Sequence, residues 1–124
     1  MPHPLGAADV CVIESPYGDR EHVLVDEGVI ARTVRDAASC GGVVIIPAFA
    51  VDRTEVVLWH LDQLVELGEV PDLPIFVDSP MASRALAQYR NERRRHSLEF
   101  RPEVLDRELF ASLDITETRT TEQS

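Results

Sequence analysis

The run GGVVIIPAF at residues 41–49 constrains this chain more than any other feature of it. Four β-branched residues stand side by side there, with nothing polar between them. A strand that shows one face to water alternates apolar and polar positions. A run without alternation asks for cover on both faces, which a parallel sheet flanked by helices supplies. Pro47 has no amide hydrogen, so the ladder is expected to end near it. Two shorter runs repeat the theme, VCVI at residues 10–13 and IFV at residues 75–77.

The stretches between these runs have helical spacing. Residues 20–39 carry Val29, Ile30, Val34 and Ala37 at helical intervals and meet a stop at Gly41 and Gly42. The next helix opens with DRTE, where Asp52 can cap and Glu55, three residues on, can reach back in a capping box. Val57, Leu58, Leu61, Leu64 and Val65 form its buried stripe, and Gly68 ends it. After the third run, Ser79 suits an N-cap and Pro80 the first helical position, with Met81, Ala85, Leu86 and Tyr89 facing inward. A fourth helix is expected after Pro102, with Leu105, Leu109, Phe110 and Leu113 inward. The end, DITETRTTEQS, alternates like an exposed strand, and Thr121 stands where it could cap one more helix.

Strands alternating with helices predict an α/β fold: three layers, a mainly parallel, Rossmann-like sheet with flanking helices and right-handed crossovers. At 124 residues the chain is expected to be a single domain, residues 1–124. In a parallel sheet the carboxyl ends of all strands share one edge, where binding crevices form. Glu14, the pair Asp52 and Arg53, and the pair Asp78 and Ser79 each follow a different run, so the topology gathers them. Arg20 stands at a helix start near the same edge.

The candidate site residues are therefore Glu14, Arg20, Arg53, Asp78 and Ser79. A carboxylate at a strand end can bind a metal, transfer a proton or orient a histidine. It can equally cap a turn, and Ser79 with Pro80 already marks a helix start beside Asp78. Arg20 and Arg53 can meet an anion, aided by free N–H groups at helix starts, or can pair with a neighbouring acid on the surface. His22 and His60 read as local or structural side chains.

Charge narrows the choice of partner. The formal net charge is -10, which repels nucleic acid and anionic membranes unless a local patch is basic. All twelve basic residues are arginine, which excludes a lysine nucleophile or a lysine phosphate anchor. The run YRNERRRH brings Arg90, Arg93, Arg94, Arg95 and His96 together; it can contact phosphates or simply solvate a helix end. Cys11 and Cys40 read as small core residues rather than a disulfide. The four histidines are widely separated, so no zinc ligand set can be completed, and neither GxGxxG nor a P-loop is present. No apolar stretch is long enough to span a membrane and no signal peptide is visible, so the cytoplasm is the expected location.

Three segments, DVCVIESPYGDREH, GGVVIIPAFAVDRTEVVL and PIFVDSPMA, resemble the β-CASP segment of metallo-β-lactamase-fold nucleases. That group includes bacterial RNase J and its relatives and the endonuclease subunit of the eukaryotic mRNA 3′-end cleavage machinery. The likeness covers roughly residues 9–88, and ITETRTTEQS is similar to the family's threonine-rich strand. The resemblance implies that Glu14 is the motif A acid beside a two-zinc centre, positioning a histidine that assists leaving-group protonation. It implies that Asp78, within DSPMA, forms a wall of the same cleft, and that Arg53 is the family's arginine after PAFA. The family usually has Thr at Pro16 and Gly at Asp52.

The metal signature of that family, HxHxDH, is not in the sequence. The resemblance therefore implies the β-CASP portion of an RNA- or single-stranded-DNA-processing hydrolase, inactive alone. The metallo-β-lactamase domain of the same parent would hold both zinc ions and this chain none. The alternative is a non-catalytic α/β signalling, ligand-binding or adaptor module. A receiver domain would present Asp78 for phosphorylation, but it relies on a lysine that this chain lacks.

Overall fold

A computed structural model describes residues 6–7, 9–13, 15, 18–19, 26–95, 102–106 and 108–117. The first helix, α1, spans Glu27–Ser39, and the Asp26 carboxylate caps it by accepting the Gly28 N–H at 3.0 Å. The earlier turns predicted for this helix, residues 20–25, lie outside the described residues. The second helix, α2, spans Arg53–Glu66.

Both helices end as their glycines require. Gly41 (φ 66°) sends its N–H to Ala38 O, and Gly42 sends its own to Ala37 O at 2.8 Å. Gly68 (φ 70°) and Glu69 repeat the pattern on Val65 O and Leu64 O. These paired bonds form the Schellman motif, whose left-handed residue is easiest for glycine. Arg35 then clips the second turn to α1, its guanidinium donating to Glu69 O at 2.7 Å.

Strand β1, Ile75–Val77, falls where the third apolar run predicts it. Helix α3, Pro80–Arg94, starts at a Ser79 cap whose hydroxyl accepts the Ala82 N–H at 3.2 Å. The short helix α4, Pro102–Leu105, and strand β2, Ile115–Glu117, follow. The strands pair in parallel, Ile75 opposite Ile115 and Val77 opposite Glu117, as an α/β chain requires. The fold is thus α/β, with a small parallel sheet and packed helices.

Two apolar clusters hold these pieces together. One joins Leu58 of α2, Val77 of β1, Leu86 of α3, and Leu109 and Phe110 ahead of β2. The other joins Ala31 and Val34 of α1 to Leu61, Leu64 and Val70. Leu86, with no exposed surface, is the most buried large side chain described. Burying such a side chain is worth about 1.5–3 kcal/mol.

Two expected strands are not formed. Residues 10–13 and 43–49 have no strand geometry. Val12 is 93% exposed and Ile45 86% exposed. β-branched composition sets a preference, but a strand exists only where a neighbouring ladder takes its N–H and C=O groups. Among the described residues the sheet has two strands, and neither segment has joined it. Cys11, expected in the core, is exposed for the same reason. Met81, expected on the inner face of α3, is exposed, and Ala82 and Ser83 take the buried positions instead.

Candidate functional site

The carboxyl end of β1 and the start of α2 meet at one groove of about 670 Å³. Its walls are residues 42–46 and 48 on one side and residues 73–79 on the other, and α1 and α2 form its floor. Most of the lining is apolar. Thr54, Asp78 and Ser79 are its polar members.

The start of α2 is built from an unusual turn. Asp52 adopts φ 69°, a left-handed conformation that a side chain with a Cβ rarely takes. This aims its carboxylate away from the helix, so it caps nothing. The carboxylate accepts instead from the Tyr89 hydroxyl of α3 at 3.3 Å. Thr54 supplies what the cap does not, its N–H and its hydroxyl both donating to Phe49 O at 3.1 and 2.9 Å. The expected capping box is therefore not made.

Glu55 shows the consequence. It is 5% exposed, and neither carboxylate oxygen has a hydrogen-bond partner. Burial pushes its pKa above the usual carboxylate value. The nearby backbone N–H groups of Glu55 and Asp52 oppose that shift, and the Asp52 charge adds to it. Tyr89 is pushed up as well, first by burial and then by the negative charges of Asp52 and Glu55. The start of α2 and the middle of α3 thus form one electrostatic unit of two carboxyl groups and a phenol.

Of the five sequence candidates, the structure describes three. Arg53 is exposed as the first residue of α2, and its guanidinium has no ion-pair partner among the described residues. Asp78 is exposed at the groove, and Ser79, half-buried beside it, is held as the cap of α3. Asp78 and Ser79 therefore share one rim with Thr54, the neighbour of Arg53. Glu14 and Arg20 lie outside the described residues.

The arginine run is less open than its sequence suggests. Arg90 pairs with Glu117 of β2 at 2.6 Å and Arg95 with Glu92 at 3.2 Å. The Arg93 Nε is buried without a hydrogen bond. His96 lies outside the described residues. Asp62 is a buried carboxylate that the sequence reading passed over, although it follows Leu58 by one helical turn. Its Oδ1 accepts the Ser112 N–H at 2.9 Å and fixes the approach to β2. Among the described residues, no three His, Cys, Asp or Glu side chains converge as metal ligands. No helix among them is long and apolar enough to cross a membrane.

The Beta-Casp domain matches residues 54–124. A ribonuclease of Thermus thermophilus is 39% identical over 84 residues, covering 66% of this chain and 19% of its own length. Subunit 3-I of the cleavage and polyadenylation specificity factor of Arabidopsis thaliana is 31% identical over 90 residues, covering 70% of this chain and 13% of its own. An RNase J-like protein of Methanocaldococcus jannaschii is 32% identical over 83 residues, covering 59% of this chain and 18% of its own. The chain thus spans less than a fifth of each of these relatives. No solved structure matches it.

Proposed function

The chain belongs to the Beta-Casp domain family, and from that premise we propose that it is the β-CASP portion of a zinc-dependent, metallo-β-lactamase-fold ribonuclease that processes RNA. The observation that carries this reading is the family match, together with relatives named as a ribonuclease, an RNase J-like protein and a subunit of the cleavage and polyadenylation specificity factor. In this reading the catalytic halves belong to the rest of the full-length protein, which works in the cytoplasm, and the isolated chain does not cleave.

In the same reading the zinc ions belong to those halves and not to this chain. When bound, such ions activate a water for attack on the phosphodiester. This chain's part is to bind and to orient. Arg53 offers an exposed guanidinium at a helix start, a place suited to a phosphate oxygen. The Asp52 carboxylate next to it is engaged by Tyr89, which moderates its repulsion of that phosphate. Asp78 and Ser79 form the facing rim, and Glu14 acts as the acid that orients a histidine of the catalytic halves.

With a net charge of -10, RNA contact depends on such local positive groups. The test is RNA cleavage by the full-length protein carrying Arg53→Ala or Glu14→Ala. The first substitution is expected to raise KM for RNA and the second to lower kcat. A wild-type rate from both variants would overturn these assignments. The reading frame around this segment should also encode HxHxDH upstream, and its absence would overturn the family role itself.

A further inference from the structure

We propose that the exposed face of α3 is a docking stripe for the phosphodiester backbone of single-stranded RNA, with Arg84 and Arg94 as its two anchors. The inference rests on the RNA reading above and adds to it a contact that neither the rim nor Arg53 supplies.

Charge singles out this helix. α3 carries five arginines, Arg84, Arg90, Arg93, Arg94 and Arg95, against one acid, Glu92, and is therefore positive by four. α1 holds two residues of each sign, and α2 has one arginine against three acids. In a chain of net charge -10, a polyanion meets its best complement along α3.

Pairing then selects among the arginines. Arg90 is held by Glu117, and Arg95 by Glu92, which Gln88 also engages at 3.0 Å. Arg84 and Arg94 are exposed and have no ion-pair partner among the described residues. Glu117 shares with Arg84 a recess of about 290 Å³, walled also by Pro80, Ser83 and Ala87, but its carboxylate is already taken by Arg90.

Geometry sets the two anchors on one side. Arg84, Gln88, Asn91, Arg94 and Arg95 follow steps of four, three, three and one, which keeps them on the face opposite the buried Ala82 and Leu86. Arg84 and Arg94 are ten residues apart, about 15 Å along the axis. The amides of Gln88 and Asn91 lie between them, and such side chains bond to phosphate and sugar oxygens. Each guanidinium offers a fork that fits a phosphate, with a rigid helix fixing the interval.

Helix stability does not account for Arg84. Arginines in the last turn favour the negative end of the dipole, as Arg93 and Arg94 do, but Arg84 stands near the opposite end.

Fluorescence anisotropy of labelled oligouridine with the whole 124-residue chain tests the proposal. Arg84→Gln combined with Arg94→Gln is expected to weaken binding at least about fivefold at low salt, and to flatten the slope of log K against log salt by about 1.4, the loss of two phosphate contacts to a single strand. Arg32→Gln, an exposed change of charge on α1, should leave the slope within a few tenths of wild type. Unchanged affinity and slope in the double variant would overturn the stripe, as would a wild-type chain that binds no RNA. If wild type instead sediments as a dimer, the double variant as a monomer, and both bind RNA alike, the stripe serves a second copy of the chain and the RNA assignment falls. Cleavage by the full-length protein is read separately, so the proposed function can survive the failure of this inference.

Discussion

Tyr89 in α3 donates its hydroxyl hydrogen to Asp52, 3.3 Å away at the start of α2, and so ties together two successive helices through residues 37 apart in sequence. The bond holds Asp52 in a backbone conformation, φ 69°, that aspartate adopts at a cost. A left-handed residue with a Cβ loses about 1–2 kcal/mol, which glycine does not. Tyr89→Phe is expected to lower stability by about 0.5–1.5 kcal/mol, the net worth of one hydrogen bond. In that background Asp52→Gly should then raise stability by about 1 kcal/mol, because only strain remains to be relieved. Urea unfolding of the two variants decides it; a further loss on adding Asp52→Gly would mean that the turn is unstrained.

Glu55 predicts a pH dependence. Burial raises its folded-state pKa above the ordinary 4.5, so between the two values the folded chain holds a proton that the unfolded chain releases. The group's contribution is most favourable below about 4.5 and is lost as pH rises through the folded value. Glu55→Gln removes the charge and keeps the shape. It should raise the unfolding free energy at pH 8 by on the order of 1 kcal/mol and leave it almost unchanged at low pH. Equal effects of the substitution at both ends of the range would rule out this account.

Asp62 is a structural carboxylate. Its bond from the Ser112 N–H orders the chain just before β2. Asp62→Asn keeps an acceptor oxygen and is expected to cost little. Asp62→Ala leaves that N–H unsatisfied in a partly buried place and should cost about 1–3 kcal/mol. Thermal unfolding of both variants separates loss of the acceptor from loss of the charge.

The ion pair between Arg90 and Glu117, 2.6 Å long, joins α3 to β2 with both side chains mostly shielded from solvent. Exposed pairs contribute about 0.2–1 kcal/mol, and shielding moves this one to the upper end. Arg90→Met should destabilise by about 1 kcal/mol, and the loss should shrink only slightly in high salt. If the effect vanished in salt, the pair would be behaving as an exposed one.

Local chemistry made much of this fold readable. Ser79 and Pro80 announce α3, Gly41 and Gly68 end the helices before them, and the IFV run lands on β1. Each of these signals is settled by bonds within a few residues. Residues 10–13 and 43–49 were misjudged because a strand depends on a distant ladder that composition does not encode. The DRTE pattern misled for a related reason: a capping box needs an extended cap residue, and Asp52 is left-handed. Asp62 escaped notice because its partner, Ser112, is fifty residues away. Of the site, Arg53, Asp78 and Ser79 were legible as helix starts and strand ends, whereas the tie from Asp52 to Tyr89 was not.

The parallel pairing of Ile75 with Ile115 also sets an order of events. No hairpin can join such strands, so β1 must wait until α3 and the loops behind it have been synthesised and have folded back. The contacts of α1 with α2 need nothing beyond Val70 and can form earlier in translation. Docking of β2 is then expected to be the slow step, and a ribosome that stalls before Ile115 leaves the backbone N–H and C=O groups of β1 without their ladder, an edge open to other strands.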